Sequence, residues 1–104
     1  MKVLHITSRA DFGGGPEHLY LQLREQDKIP NLECFVACPY DFPYFERFAQ
    51  VIGSDNLRPI PHRSFHIGSF LNLLFFIRHK GINIIHSHGK GAGIYGRLLK
   101  VFFR

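Results

Sequence analysis

A chain of 104 residues, 45% apolar and 20% charged, has the size and make-up of one small soluble globular domain or part of one. Its formal charge of +5 and pI near 9.6 favour anionic partners such as phosphorylated ligands and acidic headgroups. The basic residues form no dense block and no aromatic-interleaved RNA motif, which sets nucleic acid aside. The longest apolar run, Phe70 to Ile77 broken by Asn72, falls far short of a bilayer span.

Val3 to Thr7 predicts a first strand, apolar and β-branched apart from His5. It gives out into Ser8 to Phe12 and then Gly13-Gly14-Gly15-Pro16, where glycine lets the backbone turn sharply and a ligand approach closely. Pro16 suits the first position of a helix and Glu17 complements its positive end. Pro16, Leu19, Tyr20 and Leu23 recur at helical spacing and carry that helix to Gln26.

Glu33 to Cys38 predicts the second strand, closed by Pro39. Its two cysteines, the only ones in the chain, would sit about 13 Å apart on one strand, too far for a disulfide. Free cysteines with apolar flanks read as inert core residues in a reducing compartment. The segment after Met1 is too short and interrupted for a signal peptide, so a cytoplasmic protein is expected.

Phe45, Phe48, Ala49 and Ile52 mark a short amphipathic helix stopped by Gly53. Leu57 to Ile60 predicts a short strand at a sheet edge, because Pro59 and Pro61 cannot donate to a ladder. Ser69 to Lys80 predicts a core helix with one stripe of Phe70, Leu73, Leu74 and Ile77 and a second of Leu71 and Phe75. Arg78, His79 and Lys80 suit its negative end, and Gly81 closes it.

The run Ile82-Asn83-Ile84-Ile85-His86-Ser87-His88, bounded by Gly81 and Gly89, predicts a strand buried on both faces. Side chains two apart share a face, so His86 and His88 project together from Cα atoms about 6.6 Å apart. A final helix is expected from Ala92 to Phe103.

Four strand–helix units predict a parallel, Rossmann-like α/β sheet with right-handed crossovers and strand order 3-2-1-4. In that order the glycine loop after strand 1 and the histidines ending strand 4 meet at the topological switch point, where open α/β sheets bind ligands. Two separate features of the sequence therefore converge on one crevice.

Three segments together resemble the amino-terminal domain of family 4 glycosyltransferases: Lys2 to Thr7, Gly13 to His18, and Ile84 to Gly89. The resemblance spans essentially all 104 residues, and the order and spacing of its short motifs carry it. It implies an incomplete amino-terminal half of a GT-B fold, from enzymes of surface-polysaccharide synthesis that transfer a hexosyl unit with retention from a nucleotide-sugar to a polysaccharide or lipid-linked acceptor. Under it His88 is the catalytic candidate, a polar contact stabilising charge near the anomeric centre. Gly13, Gly14, Gly15, His86 and Gly89 are then substrate- or phosphate-binding. The nucleotide-sugar serves as co-substrate, and neither a metal nor another cofactor is expected.

The resemblance also implies further strand–helix units and a second, donor-binding domain that residues 1–104 do not include. The glutamate pair spaced E-x7-E belongs to that second domain. Glu17 with Glu25, and Glu25 with Glu33, match the spacing on or just after the first helix and count as chance. The chain by itself is expected to be inactive: a fragment, a truncated product or a half-enzyme that needs a partner chain. Its last strand is expected to be an open apolar edge prone to self-association.

Two other classes compete. The crevice can belong to a non-catalytic anion-binding or assembly module. Alternatively, His86 and His88 can be two zinc ligands of a hydrolase, with His5, His62, His66 or Asp11 as a third, though none has diagnostic spacing. Gly13 to Pro16 matches neither the dinucleotide nor the P-loop pattern and can be a simple turn. His5 reads as a satisfied core residue, and Glu17 as a helix-start charge. The Phe70 to Ile77 helix can instead lean on a membrane from the cytoplasmic side, with Arg78 and Lys80 at headgroups, which suits a lipid-linked acceptor.

Overall fold

The computed structural model describes residues 1–7, 14–41, 43–60 and 67–88. Strands and helices alternate through them: β1 (Lys2–Thr7), α1 (Gly14–Gln26), β2 (Glu33–Cys38), α2 (Tyr44–Ile52), β3 (Leu57–Pro59), α3 (Ile67–Lys80) and β4 (Ile84–His88). A 3-10 turn at Ser54–Asn56 leads into β3. All strand pairs are parallel and the order is β3-β2-β1-β4, as the alternation predicts.

Period-two alternation divides the apolar residues between two layers. Leu4, Ile6, Phe35 and Ala37 pack beneath α3 through Phe70, Leu73, Phe76 and Ile77. Cys34, Val36 and Cys38 pack beneath α1 and α2 through Leu19, Leu23, Tyr44 and Phe48. Each such large side chain contributes about 1.5–3 kcal/mol when fully buried, so burial on both sheet faces is the main term holding the fold. Phe35 and Phe76 meet edge to face at 5.8 Å across the α3 side.

The helices stop where expected. Gly53, at φ 87°, donates its N–H to the Ala49 carbonyl at 2.8 Å and ends α2. Gly81, at φ 70°, donates to the Ile77 carbonyl at 3.0 Å and ends α3. A clamp then delivers β4 to β1: the Asn83 N–H donates to the Lys2 carbonyl at 2.9 Å, and the Lys2 N–H donates to Asn83 Oδ1 at 2.9 Å. The Lys2 ammonium also reaches the Lys80 carbonyl at 2.6 Å.

Three features differ from expectation. Helix α1 begins at Gly14, so Gly14 and Gly15 lie in its first turn and Pro16 follows them there. The first N–H groups of a helix have no internal partner, and proline is therefore tolerated at this point. Strand β4 is not buried on both faces. Its place at the sheet edge is the one expected, with a neighbour only in β1 among the described residues, but Ile84 is 43% exposed. The second stripe of α3 points outward, with Leu71 exposed and Phe75 79% exposed.

Gly13, Gly89, Asp11, His62, His66 and the helix expected over Ala92 to Phe103 lie outside the described residues. Among the described residues, no helix is long and apolar enough to cross a membrane.

Candidate functional site

The β1–β4 register sets His5 opposite His86 and Thr7 opposite His88. The β1–β2 register sets His5 beside Val36, on the face covered by α1 and α2. His5, His86 and His88 therefore project from one face of two neighbouring strands, with His88 at the carboxyl end of β4. Their ring centroids are 5.5 Å (His5–His86), 5.3 Å (His5–His88) and 4.3 Å (His86–His88) apart.

The three differ in exposure. His5 is 1% exposed, His88 is half-buried and His86 faces solvent. Both ring nitrogens of His5 are engaged: Nε2 lies 2.9 Å from Gln26 Oε1, and Nδ1 lies 3.1 Å from His88 Nε2. An amide oxygen only accepts, so the His5 proton sits on Nε2 and leaves Nδ1 with its lone pair. His88 Nε2 then donates to it. The same Gln26 oxygen accepts from the Cys34 thiol at 3.3 Å, so the last residue of α1 ties β1 and β2 together beneath the cluster.

Burial and mutual repulsion lower the basicity of His5 and His88. Burial pushes His88 down to about 4, assisted by the positive charge that His86, His5 and His18 would carry. His5 is lowered by burial above all, its bond to Gln26 opposing the shift and the charge of His86 adding to it. At neutral pH His5 and His88 thus present lone pairs and neutral N–H groups.

Helix α1 starts near the end of β4, close enough for His18 to act electrostatically on His88. Among the described residues, a Cβ added at Gly15 would meet nothing within 4 Å, and these residues leave the first turn of α1 open to an approaching group. Glu17 in the same turn accepts a hydrogen bond from the Tyr44 hydroxyl, which holds that phenol above its ordinary range and ties α1 to α2. Glu17 is therefore a structural contact as well as a helix-start charge.

Of the residues expected at the site, His86 and His88 come together, and Gly14 and Gly15 form the helix start rather than a loop before it. His5 is both a satisfied core residue and a member of the cluster. Its membership follows from the β1–β4 adjacency that strand order 3-2-1-4 already contains. Gln26 carries no signal in the sequence that could have marked it. The cysteines are free and buried, and burial raises the pKa of both, so neither supplies a thiolate.

A groove of about 520 Å³ lies elsewhere, lined by Leu71, Leu74, Phe75, Arg78 and His79 on the outer side of α3. It is a mostly apolar surface edged by Arg78 and His79, and the histidine cluster is the better place for chemistry. Compared with protein-family models, curated proteins and solved structures, the chain matches none.

Proposed function

We propose that the chain forms the acceptor-side part of a retaining GT-B glycosyltransferase. The crevice between β1, β4 and the start of α1 would face a nucleotide-sugar and its acceptor. One observation carries this reading: β4 pairs with β1 on the side away from β2 and β3, which sets His88 beside Thr7 at the switch point of the sheet. Ligands of open α/β sheets bind at that crevice. An uncharged His88 offers a polar contact to a hexosyl unit developing charge at its anomeric carbon, and the open first turn of α1 offers backbone N–H groups to phosphate oxygens. His86 would support His88 from the solvent side.

Transfer would need the donor-binding domain that the resemblance implies. The expected partners are therefore that domain or a partner chain, a nucleotide-sugar and a glycan or lipid-linked acceptor. The outer side of α3, with Leu71 and Phe75 exposed above Arg78 and Lys80, suits peripheral contact with an anionic membrane carrying such an acceptor.

Calorimetric titration with uridine and guanosine diphosphates and their hexose conjugates tests the proposal. Saturable binding that favours at least one sugar conjugate over its bare nucleotide, and weakens in His88→Ala, supports it. Equal binding of bare phosphate and every conjugate favours a non-catalytic anion-binding module instead. No binding overturns both.

A further inference from the structure

The three imidazoles form a cluster whose parts match a transition-metal site. One ring nitrogen each from His5, His86 and His88 can be chosen so that all three lie within 4.8 Å of one another. We propose that His5, His86 and His88 bind a divalent metal ion of the zinc class, with Gln26 as the group that orients His5. This inference does not depend on the glycosyltransferase reading.

Spacing comes first. Zinc–nitrogen bonds of about 2.0–2.1 Å in a tetrahedron put the nitrogens about 3.3 Å apart. His5 Nδ1 and His88 Nε2 stand 3.1 Å apart, so this pair is already set for a shared ion. His86 has to close from the wider 4.8 Å limit, and as an exposed side chain it can swing without disturbing the core.

The second observation is the support behind the ligands. Histidine ligands are usually oriented by a carbonyl or carboxylate that accepts from the ring's other N–H. Gln26 Oε1 does this for His5 at 2.9 Å, fixing the tautomer that leaves Nδ1 bare and aimed at His88. When an ion binds, His88 moves its proton from Nε2 to Nδ1 and donates the lone pair of Nε2.

Third, all three ligands sit on paired strands. His5 lies in the middle of a strand paired on both sides, and His86 and His88 lie on its neighbour in fixed register. Three imidazoles leave a fourth position for water or a ligand oxygen, the pattern of an open rather than a closed zinc site. Imidazole donors suit zinc, nickel and copper and disfavour magnesium or calcium.

The test is calorimetric titration of the chain, freed of any affinity tag, with zinc sulfate at neutral pH, with cobalt(II) absorption as a second readout. The expected result is one ion per chain with a dissociation constant of about 1 µM or tighter, and a cobalt spectrum of four-coordinate intensity. His86→Ala, at an exposed position that leaves the core untouched, should weaken zinc at least about tenfold. His79→Ala on α3 should leave affinity unchanged. Weaker zinc binding by the parent chain, or a smaller effect of His86→Ala, overturns the proposal, and magnesium binding as tight as zinc does the same. Nucleotide-sugar binding without zinc binding would overturn this inference alone, and the reverse result would overturn only the proposed function.

Discussion

Gln26→Met removes the acceptor beneath His5 while keeping side-chain length and volume, so it creates no cavity. In the parent structure Gln26 Oε1 takes the His5 Nε2–H at 2.9 Å and the Cys34 S–H at 3.3 Å. His5 is 1% exposed, so water cannot replace the lost partner. Stranding a buried donor costs about 1–3 kcal/mol, and the weak thiol donor adds little, which places the expected loss near 2 kcal/mol. For a domain of this size that lowers Tm by about 8–16 °C. Urea unfolding followed by far-ultraviolet circular dichroism, with EDTA present to exclude metal effects, measures it. His5→Leu in the same background removes the stranded donor, so the double variant should be at least about 1 kcal/mol more stable than the two single losses added together. A Gln26→Met variant within about 0.5 kcal/mol of the parent, or strict additivity in the double variant, would refute the hydrogen-bond assignment and the tautomer drawn from it.

Acid should weaken the fold through His88. Its folded pKa of about 4 lies below the unfolded value of 6.5, so the unfolded chain binds more protons between those limits. Stability is therefore full above about pH 6.5 and declines towards pH 4; discounted for partial exposure, the loss is about 1 kcal/mol by pH 5. His88→Gln should flatten that slope in urea midpoints, and an unchanged slope would count against it. Gly15→Ala should leave the fold equal or up to about 1 kcal/mol more stable, since the new methyl meets none of the described residues, yet weaken any anion bound at the start of α1. Loss of stability in thermal melts would show the first turn to be more crowded than this. Ile84→Lys puts a charge on the exposed side of β4 and should reduce concentration-dependent association in sedimentation velocity. Identical profiles for the two proteins would place any association elsewhere. Phe75→Glu should abolish flotation with anionic vesicles if the outer side of α3 contacts lipid; retained flotation would remove that face from the account.

Much of this architecture is legible in the sequence, for identifiable reasons. Glycines at 53 and 81 punctuate α2 and α3, and Pro59 places β3 at an edge, because backbone constraints act locally and need no tertiary context. Strand order follows from alternation and handedness. What escapes is how far each layer extends. The apolar run of β4 reads as doubly buried, yet burial depends on which neighbours cover it, and Ile84 lacks that cover among the described residues. The all-round apolar pattern of α3 likewise cannot say which side meets the sheet: Leu73 and Phe76 do, and Phe75 does not. His86 and His88 announce themselves through period two, whereas His5 joins them only through inter-strand register. Gln26 arrives only through the way α1 returns across β1.

The central claim is that ligand chemistry resides where β1, β4 and α1 converge. Amide chemical-shift mapping on the labelled chain, during titration with the diphosphate-sugar panel, tests it most directly. The account expects saturable shifts concentrated at Thr7, Gly15 and His88, together with the ring nitrogens of His86. Shifts confined to the outer side of α3, around Leu71 and Phe75, or no saturable shift at all, would contradict it.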